Sequence, residues 1–271
     1  MDDIDKFLDE DLGLEGDITS DSLFSDEFGK AQIISKEDCI IAGLEEIKLI
    51  FKKTGASVEN KFKDGDKIKK GTVIAEIIGP IRSILKGERL ALNFIGKMSG
   101  IATETKNLIE KCKQKNPNIR IAATRKTTPG FRKYEKKAVK IGGGEPHRFG
   151  LFDEVMIKDN HIKVIGSIEK AIKIVKQKIK NKIVEVEIEN MDDAIIAAKL
   201  NVDVIMLDNL KPIKCQEIAN KIREINSSII IEISGGINPE NIVNYASFAD
   251  RISLGYITHS IKNKNFSLEF I

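Results

Sequence analysis

Residues 183–236 read IVEVEIENMDDAIIAAKLNVDVIMLDNLKPIKCQEIANKIREINSSIIIEISGG. Three runs in this stretch, Ile183–Glu189, Val204–Asp208 and Ile229–Ser234, are apolar, β-branched and strand-length. Between them lie Met191–Leu200 and Ile213–Ile225, whose apolar residues recur at helical spacing. Strand, helix and strand in repetition predict a parallel sheet with right-handed crossovers. The alternation extends outward to Ile119–Ala123 and Glu154–Lys158 on one side and to Arg251–Gly255 on the other, with a further helical segment at Ile168–Lys178.

Six such units fit either an open doubly wound sheet or a barrel, and the polar residues decide between them. Ile119–Ala123 passes into Thr124-Arg125-Lys126, and the next run ends at Lys158. Ile183–Glu189 carries Glu185, Glu187 and Glu189 on one face, because strand side chains alternate. The later runs end at Asp208-Asn209, at Ser234-Gly235-Gly236 and at Gly255, which leads to Thr258-His259-Ser260. A barrel gathers all of these ends at one mouth, whereas an open sheet gathers only those at its switch point. The expectation is an α/β barrel, incomplete at six strands, over residues 114–264.

Residues 1–113 read as a separate α+β domain. Asp17 offers a cap to a short helix, Ala31–Ser35 and the region of Ile40 are strand-like, and residues 43–53 predict a helix ending near Gly55. Asp64-Gly65 and Lys70-Gly71 are turn dipeptides between short strands. From Gly87 to Lys113, Ala91, Ile95, Met98, Ala102, Ile109 and Cys112 step by three, four or seven, which predicts one long amphipathic helix. The terminal NFSLEFI, residues 265–271, alternates as a strand expected to return to the N-terminal domain.

Composition narrows the function classes. The chain has 271 residues, of which 41% are hydrophobic and 31% charged, the balance of a globular protein. Lys and Arg number 44 against 41 acids, and a net charge of +3 argues against a general nucleic-acid binder. The acidic start MDDIDKFLDEDLG lacks the form of a signal peptide, and no apolar run approaches the roughly 20 residues of a membrane helix. Three widely spaced cysteines, Cys39, Cys112 and Cys215, form neither a zinc pattern nor a disulfide framework, and read as buried thiols of a cytoplasmic protein.

The stretch Thr124–Ile162, TRKTTPGFRKYEKKAVKIGGGEPHRFGLFDEVMIKDNHI, concentrates the chemistry. Lys133, Lys136, Lys137 and Lys140 read as the wet face of a helix. Arg125, Lys126, His147, Arg148 and Lys158 sit at strand ends and in Gly-rich loops, and predict a grip on multiply anionic substrates. Ser234-Gly235-Gly236 before Asn238-Pro239 predicts a phosphate site at a helix start, with Gly255 beside it. Glu187 and Asp208 are suited to magnesium, or to stabilising positive charge on a sugar. His161 reads as a loop-stabilising hydrogen-bond partner, and His259 as either a phosphate contact or a helix-start residue. Gly142-Gly143-Gly144 is no dinucleotide fingerprint; it reads as a sharp turn into His147-Arg148. Arg89 taken alone reads as a surface cation.

Six ordered motifs, TRKTTPGFRKYEKKAV, GGGEPHRFGLFDEVMIKDNH, VEVEIEN, MLDN, ISGGI and ISLGYITHS, together with LGLEGDITSD and GERLALNFIGKMSGIAT, closely resemble quinolinate phosphoribosyltransferases. The resemblance implies an N-terminal α+β domain and an open six- or seven-stranded α/β barrel. It implies transfer of phosphoribosyl from phosphoribosyl pyrophosphate to quinolinate with loss of carbon dioxide, a magnesium requirement, and a homodimer or dimer-based oligomer. By the same resemblance, Arg89 reaches quinolinate from a partner subunit, and Arg125, His147 and Arg148 surround it. Lys158 lies between the two substrates, and Lys126 beside the phosphoribosyl substrate. Glu187 and Asp208 serve the ribose and magnesium, directly or through water. Ser234, Gly235, Gly255 and His259 surround the 5′-phosphate. Two rivals are a molybdenum-associated paralogue with another acceptor, which IKDNH resembles less, and a barrel lyase forming a Schiff base at Lys158.

Overall fold

The computed structural model describes residues 3–271. Contacts divide them into two compact units: residues up to Glu104 with Lys133–Gly142 and Ile261–Ile271, and Thr105–Arg132 with Gly143–Ser260. The division falls inside the long helix, not at residue 113, and it gives the helix after Arg132 to the first unit.

The first unit opens with α1 (Asp3–Leu12) and α2 (Ile18–Leu23), the latter capped by Asp17, whose carboxylate accepts from Ser20 N–H at 3.0 Å. An antiparallel sheet follows, built from β1 (Phe28–Ser35), β3 (Ser57–Asn60), β5 (Val73–Pro80) and β12 (Phe266–Phe270) in the order β12-β1-β5-β3. The C-terminal strand thus pairs with β1, Ile33 opposite Leu268. A two-strand ribbon, β2 (Cys39–Ile40) with β4 (Lys67–Ile68), lies beside the turns at Gly65 and Gly71, both at positive φ. Helix α3 (Leu44–Thr54) ends at Gly55, where φ of 100° lets the Gly55 N–H return to Phe51 O at 3.0 Å.

Helix α4 (Ile81–Lys113) begins six residues earlier than the expected Gly87, directly after the strand that ends at Pro80. Ala91, Ile95, Met98, Ala102, Ile109 and Cys112 are all buried. Gly96 and Gly100 let the chain before β12 cross the helix. A Cβ on them would stand 2.8 Å from Lys264 O and 2.5 Å from Lys262 O. Helix α5 (Arg132–Ile141) corrects the wet-face reading in part. Lys136 is 3% exposed, and Lys137 lies 2.6 Å from Glu45 and 2.8 Å from Glu46. This face of α5 packs within its unit, where Tyr134 meets Phe94 and Phe7 edge-on and Lys97 lies 3.5 Å from the buried Glu135.

The second unit holds six parallel strands: β6 (Arg120–Ala122), β7 (Val155–Ile157), β8 (Val184–Ile188), β9 (Val204–Asp208), β10 (Ile230–Ser234) and β11 (Arg251–Ser253). Their spatial order, β7-β8-β9-β10-β11-β6, is the chain order with the first strand brought round beside the last. This cyclic order makes the sheet a barrel and excludes the doubly wound alternative. Glu145 extends the free edge of β6, donating to Ile121 O at 2.8 Å and accepting from Ala123 N–H at 2.9 Å. Among the described residues no pairing joins β7 to that edge, so the barrel is open there.

Helices α6 (Asp159–Ile165), α7 (Ile168–Lys178), α8 (Met191–Lys199) and α9 (Pro212–Ile225) connect the strands, with a 3-10 turn at Ile242–Asn244 and α10 at Tyr256–His259. The helix expected after Asn238-Pro239 is only that turn. Asn238 closes the loop ahead of it, its Oδ1 accepting from Glu240 N–H at 2.9 Å and Asn241 N–H at 3.1 Å. The three cysteines are unpaired and buried, and burial pushes Cys112 and Cys215 up to about 11. Among the described residues no helix is long and apolar enough to cross a membrane.

Candidate active site

The strand C-termini of the second unit surround a cavity of about 660 Å³. Strand alternation puts Lys158 just after β7, Glu187 on β8, Asp208 on β9 and Ser234 on β10 facing into it. Arg125, Lys126, His147, Arg148, Gly235, Gly255 and His259 complete the expected set within the lining. Arg89 lies in the first unit, exposed on α4.

Each side chain is held by local structure. Thr124 Oγ1 accepts from Lys126 N–H at 3.0 Å, and Thr258 Oγ1 donates to Lys126 O at 2.7 Å. The first bond turns the chain after β6, and the second ties it to α10. Arg132 reaches Thr127 Oγ1 at 2.9 Å and Phe149 O at 3.0 Å, bracing the Arg125 loop against the His147 loop. His161 Nδ1 accepts from Lys158 N–H at 2.9 Å, capping α6 at the residue that carries the lysine. That is the hydrogen-bonding role expected of His161. His259 is the last residue of α10, not its start, and its Nδ1 lies 2.6 Å from Ser260 Oγ. Sequence reading assigned no role to Thr124, Thr258 or Arg132, because their partners lie on other loops.

Glycine geometry shapes one wall. Gly235 has φ of +82°, and a Cβ there would stand 2.4 Å from Asn209 Oδ1; Asn209 is itself at φ of +55°. A Cβ on Gly255 would stand 2.8 Å from Lys126 Cδ and 2.9 Å from the His259 ring. Side chains are therefore excluded at Gly235 and Gly255, and both glycines line the cavity with backbone alone.

Charge is arranged by type. Burial, and then the neighbouring Arg125 guanidinium, pull Arg148 below its ordinary value, as expected of a buried cation near a second one. Burial, and then Glu187, push Asp208 up from the usual carboxylate range. Lys158 Nζ lies 2.5 Å from Glu187 Oε2. The cavity thus has a guanidinium end, a carboxylate pair bridged to a lysine, and a glycine wall. The two carboxylates, on adjacent strands, are oxygen donors that could hold a magnesium ion.

Two family descriptions cover almost the whole chain. Residues 17–99 match the quinolinate phosphoribosyl transferase N-terminal domain, and residues 101–269 match the C-terminal domain. The chain is 45% identical over 245 residues to a probable nicotinate-nucleotide pyrophosphorylase [carboxylating] of Archaeoglobus fulgidus, covering 89% of this chain and 94% of that one. It is 42% identical over 270 residues to the protein of the same description from Bacillus subtilis, covering 98% and 91%. A solved nicotinate-nucleotide pyrophosphorylase from Francisella tularensis superposes with a TM-score of 0.92 at 36% identity, covering 99% of this chain and 94% of that one. With both domains matched in order and the barrel mouth carrying the charges described above, the chain belongs to the quinolinate phosphoribosyltransferase family.

Proposed function

We propose that this cavity carries out the reaction of its family: quinolinate takes a phosphoribosyl group from phosphoribosyl pyrophosphate and loses carbon dioxide, giving nicotinate mononucleotide and pyrophosphate in NAD synthesis. The observation that carries this reading is the meeting of the Arg125–Arg148 guanidinium pair and the Glu187–Asp208 carboxylate pair in one cavity, with Lys158 against Glu187.

Arg125 and Arg148 take the two carboxylates of quinolinate in forked contacts and aim the ring nitrogen at the sugar. His147 flanks the same end. Ser234, Gly235, Gly255 and His259 receive the 5′-phosphate through backbone N–H groups and the imidazole. As the bond from the anomeric carbon to pyrophosphate breaks, positive charge grows on the ribose, and Glu187 and Asp208 stabilise it. Lys126 and Lys158 balance the departing phosphates. The ring nitrogen then bonds to that carbon and becomes cationic. The adjacent carboxylate leaves as carbon dioxide, its electron pair remains on the ring carbon beside the cationic nitrogen, and a proton completes the product.

Magnesium fits Glu187 and Asp208, where it supplies charge neutralisation for the pyrophosphate. Arg89, exposed on α4, is the residue offered to the site of a second copy in a homodimer.

The test is direct. Purified protein with quinolinate, phosphoribosyl pyrophosphate and magnesium is expected to release nicotinate mononucleotide and carbon dioxide in equal amounts. Turnover of another aromatic acid in place of quinolinate would move the chain to the paralogous reaction.

A further inference from the structure

The interior of an α/β barrel is ordinarily filled by branched apolar side chains. One layer below the cavity, this barrel instead holds Glu185 on β8, Glu232 on β10 and Arg251 on β11, with the two glutamates 0% exposed and Arg251 7% exposed. Buried charges cost several kcal/mol each unless they are well partnered. Here the Arg251 guanidinium is partnered by Glu232, Glu185 and Glu145, and His147 faces both buried glutamates. Arg251 Nε donates to Glu232 Oε2, Arg251 Nη2 lies 3.6 Å from Glu185 Oε2, and Arg251 Nη1 lies 3.5 Å from Glu145 Oε2.

His147 hangs into this layer from above. Its backbone is at φ of +55°, a conformation that costs a non-glycine residue free energy unless its surroundings hold it. Its Nδ1 accepts from Arg148 N–H at 2.8 Å, so a neutral ring carries its proton on Nε2. That Nε2 faces Glu232 Oε1 at 3.4 Å and Glu185 Oε2 at 3.5 Å, and the side chain is 3% exposed. The next residue is Arg148.

We propose that Glu232, held by Arg251, is a positioning residue for the acceptor end of the cavity: it anchors the His147 ring, which holds the strained loop that presents Arg148. Glu232 touches none of the cavity and acts through His147. The charge state agrees. Burial alone would raise Glu232, yet the His147 side chain and the Arg251 guanidinium beside it outweigh burial and hold its carboxyl below its ordinary value. A neutral isostere at 232 keeps the volume but loses the charge that strengthens its contact with the ring and pairs with Arg251, so the hold on the positive-φ loop weakens.

This inference rests on the proposed reaction only for its kinetic readout. Glu232→Gln is expected to raise KM for quinolinate roughly tenfold or more, and to leave KM for phosphoribosyl pyrophosphate within about twofold. Loss of packing alone would raise both. The second readout needs no variant. The chain has only three histidines, so ¹⁵N-edited spectra of the wild-type imidazoles are tractable. His147 is expected as the neutral ring protonated on Nε2. A ring protonated on Nδ1, or a Glu232→Gln enzyme whose two KM values rise together or stay unchanged, would overturn the proposal. A wild-type protein that shows the expected tautomer but no turnover of quinolinate would instead count against the proposed reaction alone.

Discussion

Lys158 Nζ sits 2.5 Å from Glu187 Oε2 across the adjacent strands β7 and β8, and the carboxylate side chain is only 10% exposed while the lysine is 42% exposed. The pair is half in water, so its worth to stability is small. On the proposed reaction, its worth lies in holding a cation where leaving-group charge develops. Lys158→Ala is expected to lower kcat/KM by about a hundredfold or more while shifting the melting temperature by no more than a few degrees. Steady-state kinetics beside a thermal melt check this. Near-normal turnover would remove Lys158 from the site.

The proton on Glu185 makes stability depend on pH. Burial, and then Glu232, push its carboxyl up to about 9 from an ordinary 4.5. With the folded value raised, its contribution is fully present below the unfolded value of 4.5 and is lost as pH rises toward 9. Between those limits the unfolded chain ionises and the folded chain does not, so stability falls by up to about 1.4 kcal/mol per pH unit. Glu185→Gln has no such proton to lose. Urea midpoints at about pH 6 and about pH 8.5 should converge for the variant and diverge for the wild type. Equal pH dependence in the two proteins would show that Glu185 is already ionised.

Gly235→Ala places a methyl group against Asn209 at a residue with φ of +82°. A cost of about 1–3 kcal/mol is expected from the backbone alone. If the glycine wall receives phosphate, KM for phosphoribosyl pyrophosphate rises and KM for quinolinate does not. A destabilised enzyme with both constants unchanged would clear the wall of that role.

Arg89 and Glu187 lie in different units of the chain, and in a dimer with shared sites each mixed pair keeps one site with both residues intact. Arg89→Ala and Glu187→Ala are each expected to be inactive. Mixed and allowed to exchange subunits, they should recover roughly a quarter of wild-type activity, because half the dimers are mixed and each has one working site. No recovery, with exchange demonstrated by mass, would mean that Arg89 serves its own chain.

The cavity cations and acids were legible because strand periodicity fixes which residues share a face, and because residues at the carboxyl ends of parallel strands meet at one mouth. Arg125, Lys158, Glu187, Asp208 and Ser234 needed no more than that. The buried layer was not legible. Glu185 was visible on the same face as Glu187, but nothing in VEVEI says that one glutamate opens to a cavity while the other faces Glu232 and Arg251. Lys136 was read as wet because a basic run resembles a solvated face, and only packing within the first unit buries it.

The sequence by itself determined the alternation of strands and helices, the face each side chain occupies and the chemical types at the barrel mouth. All of these depend on local spacing and on rotations per residue that every chain shares. Tertiary structure alone decided that β11 returns beside β6, with Arg251 opposite Arg120, and so which charges lie across from one another. Cross-strand partners are set by sheet closure between segments far apart in the chain, and the energy of a buried charge depends on those partners rather than on its neighbours in sequence.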